Sequence, residues 1–206
     1  MNLMMNRRTL LLSGACIAAF AAVPANAAAL SLAEISKYLN GIRTLQAKFT
    51  QVNDDGSVLT GTLYMKRPGR MRFEYDPPEK SLVLAGAGQV AIFDGRSNQG
   101  PEQYPLKRTP LNLILEQNVD LSRRKMVVGH TSDGVTTTVV AQDPEHPDYG
   151  TLELVFSAAP VELRQWVVTD GGGNRTTVIL GEMTKGGEFS TFLFNISHEK
   201  DKRGLN

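Results

Sequence analysis

Few residues in this chain have the type and spacing that catalysis needs. Three histidines, His130, His146 and His198, lie far apart, and the one cysteine is Cys16. A disulfide needs two cysteines and a thiolate zinc site needs at least a pair, so both are excluded. No serine sits in the Gly-x-Ser-x-Gly turn that exposes a hydrolase nucleophile, and no histidine stands near one in a recognisable pattern. Gly171-Gly172-Gly173-Asn174 lacks the Gly-Lys-Ser/Thr ending of a phosphate loop, so it reads as a hairpin turn. His146 lies between Pro144 and Pro147, in a surface loop. Asp and Glu pairs leave acid–base hydrolysis, such as glycoside cleavage, as the one open enzymatic class. Enzyme chemistry has no positive signal.

Two other features ask for an explanation. Met65, Met71, Phe73 and Tyr75, with the later Leu152, Leu154 and Phe156, are large, and methionine is frequent among them. The plain reading is ordinary core. The sharper one is a lined cavity, because flexible methionines suit a ligand of variable shape. Lys66-Arg67-Pro68 directly follows this apolar run. A strand-end arginine is usually a solvated rim charge, but here Arg67 could reach across the mouth of a curled sheet.

The elements that would position these residues are mostly strands. One helix comes first: Ser31 and Glu34 have capping-box spacing, and Leu30 and Ile35 could close a staple outside it. Leu32, Ile35, Leu39 and Ile42 recur at helical spacing, with Gly41 as the expected stop. The period then changes to two. Leu45, Ala47 and Phe49 alternate with polar residues, as do Leu59, Gly61, Leu63 and Met65. Met71, Phe73 and Tyr75 alternate with Arg70, Arg72, Glu74 and Asp76, the pattern of a half-buried strand with a solvated charged face. Further strands are predicted over 81–85, 89–93, 98–104, 125–130, 135–141, 151–157, 161–169 and 174–183. About eleven short strands joined by turns predict a mainly β, curled antiparallel sheet. A second helical piece is expected where Thr109 caps, Pro110 begins, and Leu111, Ile114 and Leu115 form an apolar face. Asp120 is expected to cap a further turn ending near Arg124. Helices so few and short suit plugging one side of the sheet.

Composition narrows the class without adding chemistry. The chain has 206 residues, 22 Lys and Arg against 21 Asp and Glu, and a net charge of +1. A nucleic-acid binder normally shows a basic excess, so no nucleic-acid partner is expected. Residues 1–27 read as a signal peptide: Arg7 and Arg8, an apolar stretch from Thr9 to Val23, then Ala25-Asn26-Ala27. Ser13 stands where a lipid-anchoring signal has Leu, so Cys16 is expected to leave with the peptide. Residues 28–206 then form a single exported domain.

Three blocks carry a resemblance. They are Tyr38-Leu39-Asn40-Gly41-Ile42-Arg43-Thr44-Leu45-Gln46-Ala47-Lys48-Phe49-Thr50-Gln51, Gly61-Thr62-Leu63-Tyr64-Met65-Lys66-Arg67-Pro68-Gly69-Arg70-Met71-Arg72-Phe73-Glu74-Tyr75, and Thr109-Pro110-Leu111-Asn112-Leu113-Ile114-Leu115. In order and spacing the chain resembles the LolA family of periplasmic lipoprotein carriers. The resemblance implies an incomplete, unclosed antiparallel β-barrel of about eleven strands with a lid of short α-helices. It implies no cofactor and no metal. It makes Arg67 the residue that holds the lid shut. The acyl-chain cavity it implies would be lined by Met65, Met71, Phe73, Tyr75, Leu111, Ile114, Leu115, Leu152, Leu154 and Phe156.

Implied partners are acylated lipoproteins, an inner-membrane lipoprotein-releasing ABC transporter, and an outer-membrane receptor or the membrane itself. A periplasmic monomer is expected. Two rivals stand beside this reading: a sensor of the same fold that binds lipoprotein or lipid, and an unrecognised hydrolase. The charged end after Ile196 is short, which leaves open whether it covers the barrel edge.

Overall fold

A computed structural model describes residues 29–122 and 125–205. The signal-peptide reading of residues 1–27, with Cys16, lies outside these residues, as does the expected turn end at Arg124. Helix α1 spans Leu32–Gly41, and its capping box forms as expected, with Ser31 accepting from the Glu34 amide. Gly41 is the last helical residue rather than the stop; Ile42 takes the cap in extended conformation.

Eleven strands follow. They are β1 (Thr44–Val52), β2 (Val58–Lys66), β3 (Arg70–Tyr75), β4 (Leu82–Gly86), β5 (Gln89–Phe93), β6 (Glu102–Pro105), β7 (Val127–Ser132), β8 (Thr136–Gln142), β9 (Thr151–Ala158), β10 (Val161–Thr169) and β11 (Arg175–Lys185). All belong to one antiparallel sheet, ordered β6-β5-β4-β3-β2-β1-β11-β10-β9-β8-β7. The sheet does not close into a barrel, and its two edges, β6 and β7, are consecutive in sequence. The predicted strand over 98–104 starts only at Glu102, because the residues before it form turns.

The sheet curls strongly. Phe73 on β3 meets Trp166 on β10 edge to face, with ring centroids 6.0 Å apart. Three strands separate β3 from β10, and a flat sheet would hold them roughly 19 Å apart at ordinary strand spacing. The enclosed face carries the main core, with residues from β1–β5 and β8–β11 and the apolar side of α1. Tyr38 anchors α1 there, its ring edge against Phe156 and its hydroxyl accepting from the Leu163 amide.

The outer face is not simply solvated, which corrects the reading of β3. Arg72 is only 4% exposed. The cause is the chain's end: a 3-10 turn at Thr191–Phe194 and helix α3 (Ile196–Arg203) lie across the outside of β3–β5. Leu82, Leu84, Ala91, Phe93 and Phe194 form a second small core beneath them. The approach is so close that a Cβ on Gly86 would run into the Phe194 carbonyl. Arg72 donates to Glu199 at 3.0 Å and to Glu74 at 2.7 Å, and Arg203 donates to the other Glu199 oxygen at 2.8 Å. The short charged tail therefore does cover the sheet.

Burial alone would raise the Glu199 pKa, but hydrogen bonds from Arg203 and Arg72 outweigh it and hold the carboxyl below its ordinary range. Its stabilisation is complete above the ordinary carboxylate pKa of about 4.3 and is lost as pH falls through the lower folded value. Amide protection in α3 should therefore hold at neutral pH and fade only below about pH 4, read by hydrogen exchange. Arg72→Glu would set a third carboxylate among Glu74 and Glu199. It is expected to cost about 3–5 kcal/mol in urea unfolding, where an exposed strand position would cost almost nothing.

Candidate functional site

The chain crosses from edge strand β6 to edge strand β7, and residues 106–122 of this crossing cover the enclosed face. It contains a 3-10 turn (Leu106–Arg108) and the single-turn helix α2 (Asn112–Leu115). Thr109 does not cap α2 with its side chain. Its hydroxyl donates back to the Leu106 carbonyl at 2.8 Å, and its own carbonyl accepts from the Asn112 amide. The helix also starts later than expected, at Asn112 with Leu111 in the capping position, so Pro110 does not begin it and Thr109 lies before its cap. Ile114 and Leu115 are fully buried, Leu113 joins them, and Leu111 is partly buried. One turn embedded in a core buries more than one helical stripe, which is why Leu113 was missed.

Arg67 stands at the end of the β2–β3 hairpin and reaches this covering segment. Its Nη2 donates to the Glu116 carbonyl at 2.6 Å and to Asn40 Oδ1 at 3.3 Å. Two residues on, the Gly69 amide donates to the Leu115 carbonyl at 2.8 Å. Burial lowers the Arg67 pKa, and the nearby Glu116 charge opposes that. Arg67 is thus a half-buried bridge and not a rim charge.

On the far side the segment is tied to α1. The Asn40 carboxamide pairs with both backbone groups of Val119, donating to its carbonyl at 2.8 Å and accepting from its amide at 2.9 Å. Ser36 Oγ accepts from the Leu121 amide at 3.0 Å. Neither Asn40 nor Ser36 was singled out from the sequence. Both read as ordinary polar positions on a helix, and only the fold brings the Val119 and Leu121 backbone to them.

Beneath the segment, Met65, Met71, Phe73, Ile114, Leu115, Leu152, Leu154 and Phe156 are buried in one continuous cluster. Met65 and Met71 are direct cross-strand partners. Tyr75 is partly buried at the margin; burial pushes its pKa up to about 12, and its hydroxyl donates to Gln51 Oε1 at 2.8 Å. Phe49 and Trp166, unassigned from sequence, complete the aromatic wall through edge contacts of Phe49 with Phe73 and Tyr75. A cleft of about 60 Å³ separates Leu113 of α2 from Met126, Ala141, Tyr149 and Leu152. An open cleft of about 820 Å³ flanks Arg67, lined also by Asn40, Arg43, Lys66, Gln117 and Phe189. Among the described residues, no group of His, Cys, Asp and Glu could hold a metal ion.

An eleven-stranded open sheet, its apolar inner face covered by a hydrogen-bonded segment of short helices, defines a structural class of lidded β proteins. Comparison with known proteins narrows it. Residues 40–197 match the profile of the family described as outer membrane lipoprotein carrier protein LolA, and the chain belongs to that family. An outer-membrane lipoprotein carrier protein of Azotobacter vinelandii is 27% identical, covering 84% of each chain. One from Coxiella burnetii is 25% identical, over 84% of this chain and 83% of its own. A crystallised LolA superfamily protein of Nitrosomonas europaea aligns over 81% of this chain and 98% of its own, with 10% identity and a TM-score of 0.43.

Arg67→Leu removes the side-chain hydrogen bond from the hairpin to the covering segment and leaves the Gly69 amide on the Leu115 carbonyl. A hydrogen bond from a charged donor is worth about 1.5–3 kcal/mol, so amides of residues 113–121 should exchange about 10- to 150-fold faster. Core amides of β1 and β11 should not change, as hydrogen exchange would show.

Proposed function

We propose that this protein is a periplasmic carrier that takes up the acyl chains of lipoproteins between sheet and lid and moves them from the inner to the outer membrane. The observation that carries the reading is the Arg67 Nη2 to Glu116 carbonyl bond, which joins a covering segment to the hairpin over a predominantly apolar interior. Family membership supports the cargo. Lipoproteins would arrive from an inner-membrane ABC transporter and leave to an outer-membrane receptor or to the membrane, with no cofactor in the carrier.

Space and energy both require a lid that moves. The 60 Å³ cleft under α2 is less than half of the roughly 150 Å³ that admits one benzene ring. A methylene gains about 0.8 kcal/mol on burial, so a 16-carbon chain fully enclosed would gain roughly 12 kcal/mol. A carrier keeping all of that would not release its cargo. The closed empty state recovers part of it through the lid bonds and the apolar contacts beneath them, so loading is weakened by what closing returns.

Met71 is buried opposite Met65, and a carboxylate there would lie against hydrocarbon. Met71→Glu is expected to weaken binding of a synthetic acylated lipopeptide more than tenfold, about 1.4 kcal/mol or more, with β-rich circular dichroism retained. Val58→Glu, at a position 59% exposed, should bind as wild type. Arg67→Leu should load cargo but transfer it poorly to acceptor vesicles. Wild-type protein that binds no lipopeptide, or that hydrolyses ester substrates, would refute the carrier reading.

A further inference from the structure

We infer that Asn40 is the positioning residue of the closed lid: its carboxamide sets the Arg67 guanidinium on the Glu116 carbonyl and ties the same segment to α1. The inference deepens the carrier reading and rests on it, since it takes residues 106–122 as a lid held by Arg67.

The hydrogen-bond geometry at the junction is saturated. Arg67 Nη2 has two hydrogens, and the structure uses both, on Glu116 O at 2.6 Å and Asn40 Oδ1 at 3.3 Å. Asn40 Oδ1 has two lone pairs, and both are used, by Arg67 Nη2 and by the Val119 amide at 2.9 Å. The Asn40 amide nitrogen then holds the Val119 carbonyl at 2.8 Å. Arg67 Nε is buried with no hydrogen-bond partner among the described residues, and the bonds to Glu116 and Asn40 both run through Nη2.

A guanidinium fixed at one corner can swing about it. Asn40 supplies the second contact that removes this freedom. It also spans the lid: Glu116 is held from the hairpin and Val119 from α1, with one carboxamide touching both restraints. Losing either partner leaves the other misplaced. Opening therefore breaks the α1–Val119 pair and the Arg67–Glu116 bond together. Only a group that both donates and accepts can serve here. Aspartate would keep the contacts to Arg67 and the Val119 amide but set an acceptor against the Val119 carbonyl. Alanine would keep none.

The test needs no ligand. Ile114 is fully buried on the inner side of the lid, so in full-length protein carrying Cys16→Ala and Ile114→Cys, thiol modification by a soluble reagent reports lid opening. Asn40→Ala and Arg67→Leu are each expected to raise the modification rate about tenfold, the low end for a lost charge-assisted hydrogen bond, because water replaces part of what each variant loses. Because the two share one junction, the double variant should rise by no more than about thirty-fold. Asn40→Asp should react at least threefold more slowly than Asn40→Ala. Urea midpoints followed at Trp166 should fall too little to account for the rates.

A double variant near the hundredfold product would mean two independent ties and overturn the inference. So would an Asn40→Ala rate equal to wild type, an Asn40→Asp rate equal to Asn40→Ala, or a rise fully explained by lost global stability. Absence of lipopeptide binding would instead refute the carrier reading and leave these rates unaffected.

Discussion

Everything in this structure depends on where the sheet's two edges fall. The strands run outward from a central β1–β11 pair, so the free edges are β6 and β7, neighbours in sequence but opposite ends in space. The chain must cross between them, and the curl of the sheet makes that crossing span the opening of an apolar trough. A crossing segment over hydrocarbon has to bury side chains and satisfy its backbone at once. It does so as a 3-10 turn and one turn of helix, with Ile114 and Leu115 turned inward and carbonyls left for outside donors. The lid is thus a consequence of the topology, not an addition to it.

The outside partners of the lid's backbone, donors and acceptors alike, come from elements already fixed by the core. Asn40 and Ser36 sit on α1, whose buried face is anchored by Ile35, Leu39 and Tyr38. Arg67 and Gly69 sit at the tip of the β2–β3 hairpin, whose strands carry Met65 and Met71. The lid's buried apolar side chains, Ile114 and Leu115 among them, hold it down without fixing its orientation. Its closed position reads out the relative placement of α1 and that hairpin.

Much of this architecture was legible from local pattern. The capping box, the period-two runs and the Gly- and Asp-rich turns located α1 and all eleven strands, because those signals act within a few residues. Contacts over long sequence distance left weaker marks. Arg72 alternates as a solvent-facing residue should, yet Glu199, 127 residues later, buries it. A trace of that cover was present: Leu82-Val83-Leu84-Ala85 and Val90-Ala91-Ile92-Phe93 are unbroken apolar runs, which a strand packed on both faces needs and a half-solvated strand does not. Asn40 left no trace, since its partners are backbone atoms whose position no side-chain pattern encodes. Thr109 misled for the opposite reason, its residue type being right for a cap that a nearer carbonyl displaced.

Arg67 and Arg72, both on the β2–β3 hairpin, make contacts of different chemistry. Arg72 is buried against two carboxylates, Glu74 and Glu199, and Arg203 closes the set. Breaking such a cluster strands a charge in the interior, so the outer cover formed by α3 has no cheap open state. Arg67, five residues earlier and half-buried, spends its hydrogen bonds on a carbonyl and a carboxamide, with the Glu116 charge nearby as a weaker attraction. Withdrawing a guanidinium from neutral acceptors beside an open cleft returns it to water and leaves no unpaired buried ion behind. The carboxylate-bound arginine therefore fixes the wall, and the carbonyl-bound arginine, at the tip of the same hairpin, is the contact that the proposed carrier function would open and re-form.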